Sequence, residues 1–170
     1  MNQQTSSFYV LDAGNTRIKI AEFQRDELVS LRVFDYTKED ELFSYLASIK
    51  NSCSLLSGVV EEDFLTRIAD VWFPTVRLNA STPLPISLEM YKTSSTLGAD
   101  RIANAVAGHH FSEGKNALVI DIGTCLKFDF VDEKGKYRGG SIAPGVALRF
   151  KAMNDYTANL PLIEDFEQTA

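Results

Sequence analysis

Leu11-Asp12-Ala13-Gly14-Asn15-Thr16-Arg17-Ile18-Lys19-Ile20 is the stretch on which the fold of this 170-residue chain turns. An apolar run over residues 8–11 reads as a buried strand that ends on an aspartate and a glycine. After Asn15 and Thr16 the pattern resumes with Ile18 and Ile20 alternating with Arg17 and Lys19, so a second strand follows at once. The predicted hairpin turn carries an acid, a glycine, an amide and a hydroxyl. Gly-Asn is ordinary turn chemistry and needs no ligand. The same groups also suit a phosphate: glycine lets backbone N–H groups approach an anion, Thr16 donates a hydroxyl, and Asp12 can hold a cation.

Composition narrows what such a turn could serve. Hydrophobic content of 45% with 24% charged residues describes an ordinary globular chain. No apolar run approaches the length of a membrane span, and no signal peptide is apparent at the start. Cys53 and Cys125 fit a reducing compartment, which makes cytoplasm the expected location. A net charge of -6 with scattered Lys and Arg argues against nucleic acid as a partner. An acidic chain that handles a nucleotide needs a divalent cation to bring the phosphates in.

Working outward, residues 28–34 predict a third strand. Residues 38–50 place Leu42, Tyr45, Leu46 and Ile49 at helical spacing behind three acids that suit a helix N-terminus. Residues 55–60 read as a parallel strand buried on both faces, and residues 64–72 as an amphipathic helix stopped by Pro74. Pro83 and Pro85 mark an irregular connection. A helix rich in small residues is expected over 100–110, close-packed against another element. His109 and His110 read as capping or surface residues.

Residues 117–120 are then a new buried strand, and it ends Asp121-Ile122-Gly123-Thr124. This repeats the opening pattern of apolar strand, Asp, one residue, Gly and Thr. Strand-like runs at 128–131 and 137–142 follow, as after the first copy, so the chain reads as a duplicated unit. Two acid-bearing turns at equivalent ends of two related units are a recurrent way to grip the phosphates of a magnesium nucleotide; two structural hairpins are the alternative. Gly98-Ala99-Asp100-Arg101 opens a helix. There Asp100 is either a cap or a general base beside the anion-binding fork of Arg101. In Gly139-Gly140-Ser141-Ile142-Ala143-Pro144-Gly145, the glycines read as loop punctuation and Pro144 as the first turn of a helix over 146–153.

The set DAGNTRIK, GADR, DIGT and GGSIAPG, in this order and at these separations, resembles the type III pantothenate kinases. That family lies in the acetate-kinase/sugar-kinase/Hsp70/actin superfamily of duplicated ribonuclease-H-like domains. The resemblance implies an α/β fold with mixed sheets and helices on both faces. A first domain is expected over 1–112 and an incomplete second over 113–170, since family members continue with a further segment. It implies ATP-dependent phosphorylation of pantothenate, the first step of coenzyme A biosynthesis. Asp12, Ala13, Gly14, Asn15, Thr16, Arg17, Ile18 and Lys19 would bind ATP together with Thr124, and Asp12 would sit near Mg²⁺. Tyr91, Gly98, Ala99, Asp100 and Arg101 would bind the substrate, with Asp100 as the catalytic base. Asp121 would hold a monovalent cation, K⁺ or NH₄⁺, and the protein would be a homodimer.

Departures from the family pattern fall at Thr93-Ser94, where Asn-Pro is usual, and at Leu126 and Lys127, where small and hydroxyl residues are usual. Lys127 could itself reach a phosphate. A non-catalytic homologue of the same fold, or a kinase for another small alcohol, are the alternatives.

Overall fold

The computed structural model describes residues 7–50 and 52–163. They form two compact units. One holds the described residues up to Leu84 together with Thr93–Ala103; the other holds Pro85–Lys92 and the described residues from Asn104 onward.

The first unit opens with a meander: β1 (Ser7–Ala13), β2 (Ile18–Gln24) and β3 (Glu27–Phe34). Helix α1 (Glu39–Ser48), β4 (Cys53–Gly58), α2 (Glu62–Trp72) and the two-residue β5 (Val76–Arg77) follow. The sheet order is β3-β2-β1-β4-β5, antiparallel in the meander and parallel from β1 through β4 to β5. β5 was not foreseen, because two residues bordered by Pro74 carry no periodic signal.

Strand alternation puts Leu11, Ala13, Ile18, Ile20 and Leu56 on one face, where they bury against Leu42 and Leu46 of α1 and Leu65, Ile68 and Trp72 of α2. A side chain at Gly58 would meet Leu65, so α2 lies directly on β4 there. Helix α2 stops at Phe73, in the left-handed region at φ 55°, with its N–H on the Ala69 carbonyl. Pro74 then prevents continuation.

Helix α3 (Ala99–Phe111) has residues in both units, and β6 (Ala117–Ile122), β7 (Cys125–Val131), β8 (Tyr137–Pro144) and α4 (Val146–Asp155) complete the second. β6, β7 and β8 form a three-stranded antiparallel sheet in that order. The small residues of α3 have the expected consequence: a side chain at Gly108 would collide with Val119 of β6. One face of this sheet buries Val131, Tyr137 and Asp129, with the Tyr137 hydroxyl on the Asp129 carboxylate at 2.5 Å. The other carries Leu118, Ile120 and Ile122, all exposed.

Three expectations are corrected. Pro144 is not in the first turn of a helix: it is the last residue of β8, and Gly145 caps α4. The strand expected over 137–142 is β8, which runs on to Pro144 and takes in Gly139 and Gly140, so these glycines do not punctuate a loop. His110 is exposed, but His109 is half-buried with its ring against Gly135, so the pair does not behave alike. No helix among the described residues is long and apolar enough to cross a membrane.

Candidate functional site

In the first unit the Asp12–Arg17 turn sits where β1 ends. The Gly14 N–H donates to the Arg17 carbonyl at 3.1 Å, closing the loop, and the Tyr36 hydroxyl donates to the Gly14 carbonyl at 2.5 Å. Tyr36 in turn packs on Phe64 with ring centroids 5.5 Å apart. Ala13 and Ile18 are fully buried and anchor the two sides of the turn, whereas Asn15, Thr16 and Arg17 are exposed at its tip. Asp12 and Lys19 are direct cross-strand partners, so their side chains leave the same face of the sheet, opposite the core. Burial, and then the nearby Asp12 carboxylate, raise the Tyr36 phenol above its ordinary value.

β4 runs parallel to β1, and the Val59 N–H donates to the Ala13 carbonyl at 3.1 Å. Beyond the carboxyl ends of β4 and β5 lies a cavity of about 580 Å³, lined among others by Val59, Val60, Leu78, Asn79, Leu97 and Gly98. This is where open α/β sheets bind ligands, and the volume is in the usual range for a small molecule. Arg77 and Glu62 also line it and pair with each other at 2.6 Å.

The Gly98 carbonyl receives the Arg101 and Ile102 N–H groups and starts α3. The half-buried Asp100 carboxylate accepts the Arg101 N–H at 2.8 Å. A methyl group on Gly98 would stand 2.6 Å from that carboxylate oxygen, so glycine is what lets Asp100 lie back over the loop lining the cavity. Arg101 is buried at 7% exposure.

Three predicted residues belong to the second unit. Tyr91 packs edge-on against Tyr137, with centroids 5.4 Å apart, and borders Gly139. Asp121 and Thr124 flank the second turn, closed by the Gly123 N–H on the Cys125 carbonyl at 3.0 Å. Asp121 and Lys127 are cross-strand partners, and the Lys127 ammonium lies 2.8 Å from the Asp121 carboxylate. The same oxygen accepts the Asn104 amide at 3.2 Å. The expected site residues thus divide: Asp12 to Lys19 and Gly98 to Arg101 fall in one unit, Tyr91, Asp121 and Thr124 in the other.

Comparison with known proteins adds what geometry cannot. A model of the family "Type III pantothenate kinase" matches residues 8–169. The chain belongs to the type III pantothenate kinase family. It is 37% identical over 160 residues to a type III pantothenate kinase of Bacteroides fragilis, covering 91% of this chain and 64% of that one. It is 40% identical over 159 residues to one of Christiangramia forsetii, with the same coverages. The chain therefore spans about 64% of the length of these relatives. Among solved structures, the type II variant of the Aquifex aeolicus Ppx/GppA phosphatase aligns with a TM-score of 0.51 at 12% identity, covering 94% of this chain and 58% of that one. That likeness is one of fold, and the α/β architecture with a mixed sheet that the resemblance implied is the one observed.

The donors of the first turn fit a magnesium-bound phosphate: one carboxylate, a hydroxyl, turn amides and the Lys19 ammonium are grouped on few residues. The Asp121 carboxylate fits a free monovalent cation poorly, because an ammonium already sits on it. Among the described residues no cluster of three His, Cys, Asp or Glu could hold a metal ion.

Sequence reasoning missed Tyr36, Asn104 and Gly145. A side chain at Gly145 would collide with the backbone of Gly123 and Thr124, and its N–H donates to the Thr124 carbonyl at 3.0 Å. The glycine after Pro144 was the available signal: it secures the second turn.

Proposed function

We propose that this chain carries the machinery to transfer the γ-phosphate of ATP to the primary hydroxyl of pantothenate, giving 4'-phosphopantothenate on the way to coenzyme A. The observation that carries this reading is the arrangement of the first unit. The Asp12–Arg17 turn, the cavity and the Asp100 loop share the carboxyl end of one sheet, in a chain of the pantothenate kinase family.

Asp12, Ala13, Gly14, Asn15, Thr16, Arg17, Ile18 and Lys19 form the phosphate grip, in which the turn amides and Thr16 hydroxyl face phosphate oxygens and Lys19 offsets their charge. Thr124 belongs to the nucleotide contacts. Asp12 would hold Mg²⁺, which would supply positive charge to offset that of the phosphates. The cavity beside Gly98 and Ala99 takes the alcohol, with Tyr91 and Arg101 as further substrate contacts. Asp100 accepts a hydrogen bond from the substrate hydroxyl and aims its oxygen at the γ-phosphorus. As the new P–O bond forms and the bond to the β-phosphate oxygen breaks, the hydroxyl proton passes to Asp100 and ADP leaves. By the resemblance Asp121 stands at the position where family members hold a monovalent cation, K⁺ or NH₄⁺, and here the Lys127 ammonium already sits on it. The assembly is a homodimer that works in the cytoplasm.

The test is an assay of ADP release with ATP, Mg²⁺ and pantothenate, run beside Asp100→Asn. A general base contributes about 10²–10⁴-fold, so Asp100→Asn is expected to lose turnover on that scale with ATP affinity unchanged. Undiminished turnover in Asp100→Asn reduces Asp100 to a helix cap. A protein that binds ATP but phosphorylates no alcohol supports the non-catalytic alternative, and one that phosphorylates a different alcohol replaces the substrate.

A further inference from the structure

Lys127 lies on β7 of the second unit, and the β6–β7 register decides where its side chain goes. With Ile122 opposite Leu126 and Asp121 opposite Lys127, the two charged side chains emerge side by side on one face of the sheet. The Lys127 ammonium reaches the Asp121 carboxylate at 2.8 Å, and both side chains are largely sheltered, at 17% and 33% exposure. Asn104 of α3 donates to the same oxygen and fixes the carboxylate's orientation from another element. Gly145 holds the turn beside it, since any side chain there would strike Gly123 and Thr124.

We infer that Lys127 is a built-in replacement for the monovalent cation at Asp121, so that this protein needs no K⁺ or NH₄⁺ there. An alkylammonium presents the same unit charge as K⁺ and the same N–H donors as NH₄⁺. Being tethered through its own strand, it does not lose the translational freedom that a captured ion loses, and it is present at high effective concentration. A second cation at the same carboxylate would meet the ammonium's repulsion at close range in a partly sheltered site. Lys127 is thereby assigned to Asp121 rather than to a nucleotide phosphate.

The inference rests on Asp121 being a cation position, and its first test needs no catalysis. Melting midpoints of the protein are measured in KCl, NH₄Cl, NaCl and tetramethylammonium chloride at equal ionic strength. The wild type is expected to melt at the same temperature in all four, and Lys127→Arg likewise, because both keep a tethered cation. Lys127→Met is expected to melt lower in tetramethylammonium chloride and to recover in KCl or NH₄Cl. In the ADP-release assay, the wild-type rate should be independent of the cation. Lys127→Met should be slower by about tenfold without K⁺ or NH₄⁺ and restored by either, the scale of losing a partner that orients a site. A wild type stabilised specifically by K⁺ or NH₄⁺ overturns the inference, as does a folded Lys127→Met indifferent to every cation. Should Lys127→Met not fold, the wild-type and Lys127→Arg melts decide alone. Failure of pantothenate phosphorylation leaves the melting comparison intact and counts against the proposed reaction only.

Discussion

Tyr36 shows how one side chain holds the Asp12–Arg17 turn in shape. Its hydroxyl donates to the Gly14 carbonyl from 22 residues away, and its ring is fixed by Phe64. Tyr36→Phe removes one hydrogen bond and is expected to cost about 1 kcal/mol of stability by urea unfolding, with weaker ATP binding as the turn loosens. pH gives the same residue a second signature. Burial and the Asp12 carboxylate raise its phenol above the usual 10.0. An acid whose folded value is raised binds its proton more tightly when folded. Its contribution is thus complete below about pH 10 and is lost as pH rises through the folded value. The urea midpoint of the wild type should fall more steeply above about pH 10 than that of Tyr36→Phe; equal slopes would remove the burial argument. Asp12 and Thr16 could be proposed as phosphate ligands from the sequence because they sit inside the turn. Tyr36 could not be singled out, since nothing local distinguishes it from the neighbouring core aromatics.

Among the elements, two loops depend on glycines for unlike reasons. At Gly98 a methyl group would press the Asp100 carboxylate, 2.6 Å away, off its seat. Gly98→Ala is therefore expected to behave as a milder Asp100→Asn: turnover falls by about tenfold or more, while the melting temperature changes little because the obstacle is a movable side chain. At Gly145 the obstacle is the backbone of the second turn, which cannot swing aside. Gly145→Ala is expected to destabilise by about 1–3 kcal/mol, as overpacking does, read as a lower urea midpoint. If Gly145→Ala melts like the wild type, the close approach is not rigid. The strands and helices themselves were largely legible, because alternation and helical spacing are local. β5 was too short to leave a pattern, and Gly139 and Gly140 read as punctuation within a run already taken for a strand, because glycine is rare inside strands.

Across the whole molecule, a net charge of -6 makes the magnesium ion decisive for nucleotide binding. Chelating Mg²⁺ is expected to weaken ATP binding by about tenfold or more in calorimetry, with high salt narrowing the gap as it screens the repulsion. Binding that ignores the chelator would place the phosphates away from Asp12. What the sequence by itself determined is local: two strand–Asp-x-Gly–strand hairpins, the helix that begins at the Asp100 loop, and four motifs whose resemblance pointed to the family that comparison then showed. Tertiary structure decided the rest, because it concerns pairs distant along the chain. Only the sheet order brings β4 alongside β1 and opens the cavity beyond their ends. Only the β6–β7 register and the packing of α3 put Lys127 and Asn104 on Asp121. The opening turn could be read as a phosphate grip from its own residues, whereas the second had to be seen paired before its lysine could be read as a cation.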